Sequence, residues 1–244
     1  MTRLVIAARY LTIVPIPGVA ASTEGPGAGA AWFPVIGLAI GGALLIVDRV
    51  ATALFTPLIA ALLTVTAWKL VTGGLHLDGL ADCLDGLVGR DPVQRLAIMH
   101  DSRIGVFGAI GLVLFLLLEV GAVSGIDPLA RRRALVVAPV VGRALSPLLA
   151  RVFPSVGSGQ GASFRADVGA RTAVVALALA LVVAAVALGV HGLLALALAA
   201  ALALAFGRFM SRRLGGVSGD VHGATIELSE LVVLLTVAAA FPAR

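Results

Sequence analysis

Residues 172–207 read TAVVALALALVVAAVALGVHGLLALALAAALALAFG, 36 positions between Arg171 and Arg208 without a formal charge. One membrane-crossing helix takes about 20 mostly apolar residues at roughly 1.5 Å each. The tract is too long for one crossing and is interrupted at Gly189, His191 and Gly192. It therefore reads as a hairpin of two spans joined by a very tight turn. Its Ala/Leu/Val monotony asks only for a greasy helix, which assigns it to the scaffold.

The pattern recurs on either side. Glu24 and Asp48 enclose 23 uncharged residues, and Arg49 and Lys69 enclose 19. Weaker stretches are 104–124, interrupted by Glu119, 134–150, interrupted by Arg143, and the short 231–242. Hydrophobic residues make up 60% of the 244 and charged residues 13%, more apolar side chain than a soluble core of this size can hide. The expected fold is all-α: a polytopic integral membrane helical bundle, a single membrane domain over 1–244. Six or seven transmembrane helices are expected near 30–47, 50–70, 104–124, 134–150, 172–190, 192–207 and 231–242. Arg3, a short apolar run and Val19-Ala20-Ala21 imitate a secretory leader. Pro15, Pro17 and Arg9 break that run, favouring a short amphipathic segment at the interface. The lone Cys83 excludes an internal disulfide framework and any Cys-rich metal site.

With these spans, the polar segments 72–103, 151–171 and 208–230 fall on one face. That face carries 12 of the 18 basic residues, and the excess points it to the cytoplasm. The Arg131–Arg133 triplet falls on the other side, against the rule. Glu119 and Arg143, both inside spans, are candidates to pair with each other. Seventeen of the basic residues are arginines, whose fork suits phosphate and carboxylate. Nucleic acid is excluded as a partner, because no basic stripe interleaved with aromatics is present.

Polar chemistry is concentrated in three clusters. Five of 13 acidic residues, Asp78, Asp82, Asp85, Asp91 and Asp101, lie within 24 positions. At helical spacing Asp78, Asp82 and Asp85 share one face, where like charges repel unless a cation neutralises them. Oxygen ligands of this kind suit Mg2+ or Mn2+. In the second cluster, Asp101 is a candidate ligand or base and Arg103 a candidate phosphate contact. The third runs from Gly215 to Glu230, with Asp220, Glu227 and Glu230 leading into an apolar segment. Polar loops near 72–103 and 208–230 are thus the candidate site. His76, His100 and His222 each sit in a cluster without metal-type spacing.

Taken in order, several stretches resemble the cobalamin synthase family, adenosylcobinamide-GDP ribazoletransferase. They are Tyr10–Pro17, Trp32–Gly37, Thr72–Asp82 with Asp85-Gly86, Asp101–Gly105, and Gly219-Asp220 through Glu230. His100 stands where the family usually has lysine. The resemblance implies that α-ribazole, or its 5′-phosphate, attacks the diphosphate of adenosylcobinamide-GDP. Adenosylcobalamin or its phosphate forms and GMP leaves. It also implies Mg2+ as cofactor, small-molecule substrates, and a bacterial cytoplasmic (inner) membrane with the site facing the cytoplasm. On that reading Asp78, Asp82 and Asp85 hold the metal. Asp82, Asp101 and Arg103 are catalytic. His76, Arg90, Gly219, Asp220, Glu227 and Glu230 bind substrate. A CDP-alcohol phosphotransferase is the nearest rival enzyme, but Asp82 follows Asp78-Gly79-Leu80-Ala81 where that family's motif has arginine. A proton- or sodium-coupled transporter would centre on Glu119, Glu227 and Glu230, and no internal repeat supports it.

Overall fold

The computed structural model describes residues 2–16, 24–156 and 160–243, and every regular element among them is a helix. Two isolated bridges, Ile126 to Pro242 and Ser155 to Val217, are the only strand-like pairings among the described residues. Val19-Ala20-Ala21 lies outside them. In chain order the helices are α1 (Thr2–Leu11), α2 (Phe33–Leu54), α3 (Pro57–Val71), α4 (Leu75–Gly86) and α5 (Pro92–Met99). There follow α6 (Val106–Gly125), α7 (Pro128–Val152), α8 (Gln160–Asp167), α9 (Ala170–Leu214) and α10 (Gly219–Ala240). A 3-10 stretch, Pro26–Trp32, leads into α2.

Five helical segments are long and apolar enough to cross a membrane, and six if the bent pair α3–α4 counts as one. Helix α9 spans 45 residues but is not straight. Its backbone breaks at Gly189 (φ 58°, ψ −135°), a conformation reserved for glycine. A Cβ at Gly192 would lie 2.1 Å from the Ala184 carbonyl oxygen. Eight residues along a continuous helix would separate them by about 12 Å. The chain therefore doubles back, and α9 is the hairpin expected from its sequence.

Helix α7 forms the centre. Leu135, Val137, Val140, Val141, Leu145 and Leu149 have no exposed surface, and α2, α9 and α10 pack around them. Pro139 and Pro147 sit inside α7, as buried membrane helices tolerate. Outward-facing Val174, Val182, Val186 and Val190 are exposed, the flank that a bilayer would cover. Helix α1 is amphipathic, burying Ala7 and Leu11 while Arg3 and Arg9 stay exposed.

The chain reverses at two ends. At one, Val156 N–H donates to Val217 O (3.1 Å), Ile13 N–H to Val71 O (3.1 Å) and Arg95 Nη1 to Arg213 O (3.2 Å). At the other, Asp127 N–H donates to Phe241 O (2.9 Å), and His191 meets Phe241 edge-on at 4.8 Å. The three expected polar segments thus gather at one end.

Two parts of that expectation are corrected. The 208–230 segment is mostly helix: α9 runs to Leu214 and α10 starts at Gly219, so only the turn between them is loop. Helix α10 thereby gains the length that 231–242 lacked, and it draws Glu227 and Glu230 into the bundle. The 50–70 span is α3, 15 residues long, which ends where α4 turns away by 89°. Gly73 and Gly74, at φ 65° and 70°, make that turn.

Buried charges tie the helices. Lys69 Nζ lies 2.8 Å from Glu119 Oε1, 2.6 Å from Glu227 Oε2 and 4.0 Å from Glu230 Oε2. Arg143 Nη1 pairs with Glu230 Oε1. Glu119 and Arg143 therefore pair with Lys69 and Glu230, not with each other as expected. The cluster joins α3, α6, α7 and α10, and its three acids have no exposed surface to speak of. In the Arg131–Arg133 triplet, Arg131 is buried and its Nε lies 3.0 Å from Asp48 Oδ1.

Candidate active site

Helix α4 lies across the starts of α6 and α10. Gly79 permits this: a Cβ there would come within 2.7 Å of the Asp220 carbonyl oxygen and 2.9 Å of its Cα. The first and third polar clusters, 141 positions apart at Gly79 and Asp220, therefore meet backbone to backbone. Ser218 caps α10, its hydroxyl accepting from Val221 N–H (3.4 Å) and donating to Asp220 Oδ2 (3.2 Å).

Two cavities open at this end. The larger, about 580 Å³, is lined by Tyr10, His76, Asp78, His100, Ser146, Gly219, Asp220 and His222 among others. The smaller, about 220 Å³, is lined by Asp78, Asp82, His100, Asp101, Ser102 and Arg103 with apolar neighbours. Asp78 and His100 border both. Of the residues expected from sequence, His76, Asp78, Asp82, Asp101, Arg103, Gly219 and Asp220 are thus brought to one place.

The others are not. Asp85 is buried, and its two oxygens accept from the backbone N–H groups of Gly105 (2.7 Å) and Gly108 (2.8 Å). It caps the start of α6 from outside, satisfying amides that a helix N-terminus leaves open. Each of its oxygens is turned to one of those amides and it lines neither cavity, so the expected Asp78/Asp82/Asp85 triad does not face one cavity. Glu227 and Glu230 line neither cavity, being neutralised in the core by Lys69 and Arg143. Arg90 is exposed and also lines neither; its N–H donates to Gln94 Oε1 at 2.8 Å. Among the described residues, Glu119, Glu227 and Glu230 form the one trio with metal-ligand closeness, their ligand atoms within 4.8 Å of one another. The Lys69 ammonium, salt-bridged to all three, serves as their cation.

Electrostatics separates the remaining acids. Burial, then the charges of Asp78, Asp220 and Asp85, push the Asp82 carboxyl up to about 7. Asp101 is held down to about 2 by Arg103, whose Nε and Nη2 donate to its two oxygens at 3.0 and 2.7 Å. That bidentate pair lies at the surface. The surplus of carboxylate oxygen around Asp82 fits a hard divalent cation such as magnesium. Asp78 and Asp82 would hold it, with Asp220 on the adjoining wall.

Tyr10, Ser146 and His222 were not singled out from sequence as site residues. Tyr10 stacks with Phe33 (5.7 Å) and Phe164 (5.7 Å), and Phe164 meets His222 edge-on at 5.2 Å. Burial and the Asp220 charge push the Tyr10 phenol up to about 12, so it remains a hydrogen-bond donor. Ser146 Oγ lies 3.1 Å from His222 Nδ1. His222 stands within the Gly215–Glu230 cluster, a signal that was legible. Ser146, inside an apolar span, gave none.

Fold and site together define a helical integral membrane enzyme with an acidic, two-chambered cavity at one end of the bundle. A family model for cobalamin-5-phosphate synthase matches residues 3–238, and the chain belongs to that family. It is 36% identical to an adenosylcobinamide-GDP ribazoletransferase of Brevibacillus brevis, covering 96% of this chain and 97% of the relative. The relative of that name from Roseiflexus is 40% identical, over 98% and 90% of the two chains. That from Herpetosiphon aurantiacus is 41% identical, over 96% and 94%. No solved structure matches the chain.

Proposed function

We propose that the chain transfers the cobinamide phosphate of adenosylcobinamide-GDP to α-ribazole, or its 5′-phosphate, by displacement at the diphosphate. The observation that carries this reading is the pair of chambers sharing Asp78 and His100. Such a reaction needs two substrates held on either side of one phosphorus, with the charge on its oxygens neutralised. The larger chamber, with Tyr10, Ser146 and His222 offering hydrogen-bonding groups beside apolar walls, suits the base and ribose of the acceptor. The smaller chamber, with Arg103, suits the diphosphate. Ile104 and Phe107, 59% and 61% exposed beside it, leave an apolar surface for the bulky corrinoid at the membrane.

In the step itself a ribose hydroxyl oxygen bonds to the cobinamide-bearing phosphorus. The bridging P–O bond breaks, and GMP leaves with the bond's electron pair. The hydroxyl proton passes to a carboxylate on the shared wall. Asp101 serves that role poorly while Arg103 grips both its oxygens, so it holds Arg103 towards the phosphates instead. Magnesium, when bound, would supply charge neutralisation at the diphosphate. Asp78 on the shared wall and Asp82 in the smaller chamber would hold that ion, and Arg103 would meet the phosphate oxygens with its opposite charge.

The test is GMP release from adenosylcobinamide-GDP and α-ribazole by the purified protein in lipid, with magnesium varied. Asp82→Asn should lower the rate by about 100-fold or more. Full activity with unchanged metal dependence in that variant would remove the assignment.

A further inference from the structure

The end of the bundle away from Asp78 holds another cavity, of about 590 Å³. It opens where α2, α6 and α10 end and α7 begins, and its wall includes Thr52, Phe55, Ser124, Asp127, Arg131 and Arg132. Two of its charges are already matched. Arg131 is paired with buried Asp48. Asp127 Oδ1 accepts from the N–H groups of Leu129 (3.0 Å) and Ala130 (3.3 Å), capping α7.

Arg132 is half-buried. Among the described residues no carboxylate lies within ion-pair distance of it, and Asp48 feels its charge only from further off, behind Arg131. Its Nε, like that of Arg131, is shut off from water without a hydrogen-bond partner. A buried donor left unmet is costly, and more so when charged. Arg49 and Arg133 add exposed charge nearby in sequence, so among the described residues Arg49, Arg131, Arg132 and Arg133 stand against Asp48 and Asp127 at this end. Around the mouth, Leu54 is 69% exposed, Phe55 50% and Leu129 58%. A cationic cavity with a greasy rim, at the level where helices leave the bilayer, matches a lipid headgroup above its acyl chains.

We propose that this cavity binds the phosphodiester headgroup of an anionic phospholipid, with the Arg132 guanidinium on the phosphate oxygens. A guanidinium fork meets such oxygens two at a time. The lipid would also neutralise an arginine triplet that stands at the end opposite the basic loops.

Purified protein in detergent is offered phosphatidylglycerol, phosphatidylcholine or inorganic phosphate. Retention is read by native mass spectrometry and thermal protection by unfolding. Wild type should keep one phosphatidylglycerol per chain in preference to phosphatidylcholine, with a raised Tm. Arg132→Gln should cut that retention about tenfold or more. Arg49→Gln, which removes equal charge outside the cavity, should retain it. Arg132→Lys keeps the charge beside Asp48 and should fold as wild type while binding several-fold more weakly. Any one of three results overturns the proposal: both Arg132 variants retaining lipid like wild type, phosphatidylcholine retained equally, or inorganic phosphate protecting as well as the lipid.

Discussion

Replacing Lys69 by methionine removes one ammonium and leaves the packing volume nearly intact. In the native bundle that ammonium serves Glu119 at 2.8 Å, Glu227 at 2.6 Å and Glu230 at 4.0 Å. Without it, three buried carboxylates are left with Arg143 alone, and Arg143 pairs with Glu230. Breaking a buried ion pair by deleting one partner costs about 3–5 kcal/mol, because the remaining charge is stranded. For a chain of this length that is a fall in Tm of about 6–20 °C. The lower end is favoured, since an unfolded chain in lipid also finds polar partners. The assay is thermal unfolding in nanodiscs of Lys69→Met beside Lys69→Met/Glu119→Gln. The double variant should recover about half of the loss, because it removes one of the two acids whose ion-pair partner is Lys69 alone. An unchanged Tm in Lys69→Met, or a further fall in the double variant, would refute the cluster as a stabilising lock.

Two other predictions follow from backbone contacts. Asp85→Asn should lower stability by about 1.5–3 kcal/mol, the worth of hydrogen bonds to a charged group. Its magnesium requirement should stay that of wild type, and a shifted requirement in GMP-release titrations would return Asp85 to the metal. Gly79→Ala sets a Cβ 2.7 Å from the Asp220 carbonyl oxygen, parting α4 from α10. Turnover should fall about 10- to 100-fold from misplacement alone, with the protein still folded by circular dichroism.

Much of the architecture is legible from charge spacing, because lipid penalises unpaired charge and so prints most crossings as long runs with few charges or none. The α9 hairpin and the gathering of polar segments at one end both follow from it. What escaped was pairing at long range. Glu227 and Glu230 look like entrance acids because a run of letters does not show that Lys69, 158 positions before Glu227, closes on them. Lys69 itself reads as the polar end of an apolar run. Asp85 misled for a related reason: helical spacing puts it on the face of Asp78 and Asp82, but spacing is silent about the amides of Gly105 and Gly108 arriving from another helix. Asp78, Asp82 and Asp220 were readable because repulsion among acids is visible wherever they crowd. Their meeting depends on Gly79, where the Asp220 backbone arriving from another helix leaves no room for a Cβ.

The reversal at Gly189 bears on how the protein is made. Neither arm of α9 holds a charge that could anchor it halfway, and the arginines at 171 and 208 bracket the pair. A translocation machine handling one arm alone would have to carry the following basic segment across the bilayer. Entering together, the arms leave both arginine-bearing ends on one and the same side of the bilayer, so the tight bend makes the hairpin a single cargo in biogenesis.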